Sequence, residues 1–178
     1  MFVDLLCARA VLSTQGNNVK TGSLPLANSA RKAKTGITGF DEMTGGGLPR
    51  GRTTLLVGGP GSGKTILALQ FLVHGAQYCN EPGIFVAFEE TSHRILGNAE
   101  GFGWNLAQLQ RKKLTFMDAQ PTADLVQSGT FDLSGMLAAL EAQIELTGAR
   151  RIVFDALDIV LSLLPDAASK KAGDSPAA

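Results

Sequence analysis

Apolar positions along this chain fall into short continuous runs separated by helically spaced series, and the two alternate. Thr53-Thr54-Leu55-Leu56-Val57 is a β-branched apolar run that predicts a strand. Beyond a glycine-rich loop, Ile66, Leu67, Leu69, Gln70, Leu72 and Val73 recur at near-helical spacing until Asn80-Glu81-Pro82-Gly83 stops the helix. Ile84-Phe85-Val86-Ala87-Phe88 predicts a second strand, and Thr91-Ser92 after it reads as a helix cap. Ile95, Leu96 and Ala99 form the inner face of that helix, which Gly101 and Gly103 end. Leu114–Asp118 predicts a further strand, leading into a polar loop with Pro121 and Gly129. Leu133, Met136, Leu137, Leu140 and Ile144 mark an amphipathic helix closed by Gly148, and Arg151–Asp155 is the last clear strand.

Continuous apolar strands alternating with helices predict an α/β fold, a mostly parallel sheet flanked by helices, because each crossover helix shields a sheet face from water. Residues 1–34 read as a flexible N-terminal arm: Ser, Thr, Asn, Gly and Ala dominate from Ser13, and Arg31, Lys32 and Lys34 cluster at its end. The apolar start, Met1 to Leu12, is interrupted by Asp4 and Arg9 and lacks a basic leader, so no signal peptide is expected. The ordered domain is expected over 35–165, and 166–178 as a disordered tail.

Lysine plus arginine number 16, as do aspartate plus glutamate, so no net field draws the molecule to nucleic acid or an anionic membrane. No stretch reaches the roughly 20 apolar residues that span a bilayer. Cys7 and Cys79 lack any CxxC or histidine-rich context, which predicts neither zinc nor a disulfide framework and makes a reducing cytoplasm the expected location.

The chemistry concentrates in Gly58-Gly59-Pro60-Gly61-Ser62-Gly63-Lys64-Thr65, which matches G-x-x-x-x-G-K-[ST]. Phosphate must approach the backbone closely there, and side chains at the glycines would obstruct it. Successive N–H groups form an anion nest, the following helix points its positive end at the same place, and Lys64 adds a full charge. The loop, continued by Ile66, is therefore expected to bind ATP or a closely related nucleoside triphosphate, with the Thr65 hydroxyl suited to Mg²⁺.

Carboxylates complete the pattern. Asp155 ends an apolar strand, where a second magnesium-orienting group belongs, with Asp158 as the fallback. Glu89 and Glu90 stand at a strand exit, and because neighbouring side chains of extended backbone face opposite ways, only one of them easily aims at an attacking water. His74 and His93 have no metal-ligand partner at useful spacing and read as ordinary helix residues. Phe102 and Trp104 are expected to pack beneath the following helix rather than to stack on a base.

Together with this loop, Thr35-Gly36-Ile37-Thr38-Gly39-Phe40-Asp41, Gly46-Gly47-Leu48-Pro49-Arg50-Gly51, Glu81-Pro82-Gly83, Phe88-Glu89-Glu90-Thr91 and Gly101-Phe102-Gly103-Trp104 closely resemble the KaiC family of circadian clock ATPases. The resemblance runs from about Lys34 to about Asp166. It implies a RecA-like P-loop domain that binds ATP between subunits of a hexameric ring and hydrolyses it slowly. By position, Lys64 would grip the phosphates, Thr65 and Asp155 would serve Mg²⁺, and Glu89 and Glu90 would match the family's catalytic glutamate pair. KaiC-type subunits, homo- or hetero-oligomeric, are the implied partners. Kinase activity, a property of a second tandem domain in the family, is not carried over.

The resemblance also carries departures. RecA-like folds draw the strand between the loop strand and the Asp155 strand from later sequence, and no apolar strand follows Leu164. The expectation is a domain without its C-terminal half, its sheet short of a central member, and without the family lysine and arginine that reach a neighbour's γ-phosphate. Ala156 stands where relatives tend to carry serine, and Gly101 where a side chain is expected near the nucleotide. Two functions follow as expectations: a Mg²⁺-dependent ATPase with impaired turnover, or a non-hydrolysing nucleotide-binding module that docks on a complete KaiC-type ring. A DNA-recombination ATPase ranks third, against the neutral charge.

Overall fold

The computed structural model describes residues 32–120 and 133–159, and the backbone of residues 2–8. In chain order the strands are β1 (Phe2–Ala8), β2 (Lys32–Ala33), β3 (Leu48–Pro49), β4 (Thr53–Gly58), β5 (Gly83–Ala87), β6 (Leu114–Asp118) and β7 (Arg151–Asp155). The helices are α1 (Phe40–Met43), α2 (Lys64–Tyr78), α3 (Ser92–Ala99), α4 (Leu106–Gln110) and α5 (Leu133–Thr147). The expected strands and long helices lie where the apolar pattern predicts them. The polar loop at Pro121 and Gly129, the arm from 9 to 31 and the tail from 166 lie outside the described residues.

The main sheet runs β4-β1-β7-β5-β6. β5 is parallel to both β6 and β7, with Ile84 opposite Thr115 on one side and Ile152 on the other. Side chains alternate through this sheet into two cores. Phe85, Ala87 and Val153 join Ala68, Leu69, Leu72 and Val73 of α2, with Ile95 and Ala99 of α3 and Leu106 and Leu109 of α4. Ile84, Val86, Phe88 and Ile152 face the other way and meet Leu140, Met136 and Ile144 of α5. Every residue of β5 is buried because helices cover both faces, which is why that strand is apolar throughout. At about 1.5–3 kcal/mol per buried Leu, Ile, Val or Phe side chain, these two cores are the main source of stability.

One expectation is corrected at the sheet centre. Where an arm was expected at Phe2–Ala8 and a missing strand between β4 and β7, the structure places β1 in that position, antiparallel to both. Leu5 stands opposite Leu55 on β4 and opposite Phe154 on β7. The physical reason is that the inner edges of β4 and β7 present N–H and C=O groups that must be paired when buried. A mostly apolar stretch at the start of the chain supplies that pairing. The sheet is therefore mixed: its neighbouring β7, β5 and β6 are parallel and β1 runs against the rest.

A smaller correction concerns α3. Thr91 is its N-cap residue but makes no side-chain cap. Asp118, at the end of β6, instead accepts the Ser92 N–H at 2.7 Å and the Ser92 hydroxyl at 3.0 Å. Among the described residues, no helix is long and apolar enough to cross a membrane.

Candidate functional site

β4 ends at Gly58 and α2 begins at Lys64, so the glycine-rich loop is the turn from strand to helix. The loop needs glycine for two separate reasons. Gly61 and Gly63 have φ of 73° and 83°, the left-handed region that side chains resist. At Gly58 a Cβ would lie 2.5 Å from Ser62 Oγ, because the loop folds back on the strand end. At Gly59, Gly61 and Gly63, by contrast, a Cβ would meet nothing within 4 Å, and Gly61 and Gly63 border open space at the N-terminus of α2. The Lys64 ammonium reaches back over the loop and donates to the Gly59 carbonyl at 3.1 Å.

That space is a cavity of about 420 Å³. Pro60, Gly61, Gly63, Lys64, Thr65 and Ile66 wall one side, and Glu89, Glu90 and Asp155 the other. Gly58, Gly59 and Ser62 shape the loop without lining the cavity. Parallel register brings the carboxylates in: Ala87 on β5 pairs with Asp155 on β7, and the Phe88 N–H extends the ladder to the Asp155 carbonyl at 2.7 Å. Glu89 thus leaves the sheet beside Asp155, at the carboxyl ends of parallel strands, where ligands of open α/β sheets bind.

The two glutamates differ in setting. Burial pushes the Glu89 carboxyl above its ordinary pKa, and the carboxylates of Asp155, Asp158 and Glu90 push it further, against the pull of Lys64. The Glu90 carboxylate engages α3, with Asn98 Nδ2 at 3.5 Å and Arg94 Nη2 at 3.8 Å. Asp155 is 8% exposed. Asp158 does not line the cavity, and its Oδ1 is buried with no hydrogen-bond partner among the described residues. Asn98 also lines the cavity and was not among the residues singled out from the sequence. Its signal was available: it stands three residues after Ile95 on α3, and Ile95 lines the same wall.

A second, apolar cavity of about 550 Å³ adjoins the loop across Gly63 and Ile66 and includes Ile37, Phe102 and Trp104. Phe102 and Trp104 stack with centroids 4.9 Å apart. Phe102 is 51% exposed and lines this cavity, so the expectation that it packs beneath the following helix is corrected. His74 makes a tilted ring contact with Tyr78 and approaches Cys79 Sγ at 3.8 Å within and just beyond α2. Among the described residues no cluster of three or more potential metal ligands is present.

Comparison with known proteins agrees with this architecture. The family profile described as "ATPase: KaiC" matches residues 33–171. The circadian clock oscillator protein KaiC of Parasynechococcus marenigrum (strain WH8102) is 45% identical over 132 residues, covering 73% of this chain and 26% of that protein. Those of Nostoc sp. (strain PCC 7120 / SAG 25.82 / UTEX 2576) and Rippkaea orientalis (strain PCC 8801 / RF-1) are each 45% identical, over 137 and 141 residues. They cover 75% and 78% of this chain, and 26% and 27% of the relatives. The chain thus spans about a quarter of the length of the curated relatives it matches. With the phosphate-type loop, the strand-exit glutamates and the family match in agreement, this chain belongs to the KaiC family of RecA-like ATPase domains.

Proposed function

We propose that the chain binds ATP in the cavity between the loop and the strand exits and hydrolyses it slowly in a Mg²⁺-dependent manner, as a KaiC-type ATPase. The observation that carries this reading is the convergence of Lys64, Thr65, Asp155 and Glu89 on one cavity. The loop N–H groups and Lys64 hold the phosphates, and the glycines without side-chain obstruction leave room for them. The adjoining apolar cavity at Ile37, Ile66 and Phe102 accommodates the base.

The donor set suits Mg²⁺, which is held by one or two protein oxygens and otherwise by phosphates and water. The Thr65 hydroxyl and the Asp155 carboxylate supply those oxygens. When bound, the ion neutralises charge developing on the phosphates. Glu89 takes the proton from the attacking water, and its raised pKa brings it nearer the operating pH than an ordinary carboxylate. Cytoplasmic assembly with KaiC-type subunits, by analogy with the family's hexameric ring, belongs to the same proposal.

A second reading, nucleotide binding without turnover by a module docked on a KaiC-type ring, draws support from β1. An antiparallel strand holds the sheet position next to the loop strand. Phosphate release and binding of a fluorescent ATP analogue separate the two. Turnover above that of Lys64→Ala supports hydrolysis, whereas binding with no such excess supports the second reading.

A further inference from the structure

The backbone around Glu89 is held by a side chain that belongs to neither the loop nor the carboxylate pattern. Gln120 follows β6, and its Nε2 donates to the Ala87 carbonyl at 3.0 Å and to the Glu90 carbonyl at 2.8 Å. The two acceptors bracket Phe88 and Glu89, so a single amide spans the exit from β5. The Ala87 carbonyl also accepts the Ala119 N–H at 2.8 Å, which carries the β5–β6 ladder up to the point where the Gln120 amide takes over. The same strand end holds α3 through Asp118 and Ser92, and α3 holds the Glu90 carboxylate through Asn98 and Arg94.

Phe88, Glu89 and Glu90 form a bend beyond the end of β5 and not a continuation of the strand, so the backbone course through that bend decides which glutamate addresses a ligand and from what angle. We propose that Gln120 is a positioning residue that presents Glu89 to the nucleotide while α3 retains Glu90. The role rests on the reading of Glu89 as the group that activates water. It places no new contact on the nucleotide, so it acts on turnover and not on binding. Displacements of about 1 Å at a reacting group cost up to about a hundredfold in rate.

The test is a double-mutant cycle on the full chain, with steady-state ATPase kinetics, binding of a fluorescent ATP analogue and a thermal melt for each variant. Gln120→Met keeps the length and removes both N–H donors. It is expected to lower kcat about tenfold with KM and nucleotide affinity within twofold. Gln120→Ser withdraws the amide from both carbonyls and is expected to give the same loss, which keeps the claim testable if the thioether disturbs folding. Added to Glu89→Gln, either change is expected to cost no more than a further twofold, because a misplaced base and an absent one are equivalent. Unchanged kcat in both Gln120 variants, or an equal loss on the Glu89→Gln background, overturns the positioning role alone. Turnover indifferent to Glu89→Gln, or absent from the unmodified chain, overturns the underlying reading of the site and this role with it.

Discussion

Arg151 and Glu81 form a buried ion pair in which Arg151 Nε and Nη2 lie 2.7 and 2.6 Å from the same carboxylate oxygen, Glu81 Oε2. Arg151 is fully buried, its Cζ lies over the Phe71 ring at 4.4 Å from the centroid, and its Nη1 donates to the carbonyls of Lys34 and Phe71 at 2.8 and 2.7 Å. Arg50 takes the other oxygen of Glu81 at 2.6 Å. The start of β7, the middle of α2, the turn after it and the segment before α1 are thereby tied at one point. Arg151→Met removes one partner and strands the others, so a loss of about 3–5 kcal/mol is expected in urea denaturation. Arg151→Lys is expected to recover little, since an ammonium cannot reproduce the planar set of donors.

Gly75 exists for the same arginine. In an ordinary helix interior, Gly→Ala stabilises by about 1 kcal/mol. Here a Cβ would overlap Arg151 Nε and lie 2.5 Å from its Cδ, against a side chain held on every side. Gly75→Ala is therefore expected to destabilise, by about 1–3 kcal/mol, with the sign of the change as the readout in the same denaturation experiment.

Acid is expected to weaken the fold through this knot. Burial raises the Glu81 pKa, but hydrogen bonds from Arg50 and Arg151 outweigh it, so the carboxyl titrates below its ordinary 4.5. Asp41, whose carboxylate accepts from Thr35 and Gly36, is likewise lowered from 3.8 once those bonds overcome its burial. A carboxyl depressed in the folded state contributes stability that is complete above the unfolded pKa and is lost as pH falls through the folded one. The contribution of these two carboxyls to the denaturation midpoint is expected to hold from pH 7 to about 5 and then to fall. In Glu81→Gln the overall stability is lower and the acid-dependent part of the fall is smaller.

β1 gives the nucleotide loop its place relative to Asp155, since it pairs with β4 on one side and β7 on the other. Leu5→Pro removes a backbone donor in the middle of that strand, a position where proline is not accommodated. Affinity for a fluorescent ATP analogue is expected to fall at least about tenfold, with faster amide hydrogen exchange in β4 than in β5. Unaltered affinity would show that β4 is held without β1.

Much of the site was legible because its signals are local. The loop pattern, the apolar runs flanking it and the carboxylates at strand ends can each be read from a few neighbouring residues. Buried parallel strands betray themselves by continuous apolar sequence, as β5 does. What escaped depends on contacts distant in the chain. Nothing in Phe2–Ala8 specifies that it pairs between β4 and β7, because strand partners are chosen by tertiary context and not by composition. Arg151 read as the polar start of a strand, since only the fold shows that Glu81 and two carbonyls satisfy its charge in the interior. Gln120 is a generic polar residue whose role comes from where β6 ends.

The central claim is most directly tested by phosphate release from Mg²⁺-ATP by the unmodified chain, Lys64→Ala and Glu89→Gln, measured beside nucleotide affinity. The account predicts slow turnover in the unmodified chain and loss of both turnover and binding in Lys64→Ala. In Glu89→Gln it predicts a fall in kcat of about a hundredfold, with affinity within threefold. Turnover in Glu89→Gln equal to that of the unmodified chain, or none in the unmodified chain beyond that of Lys64→Ala, would contradict it.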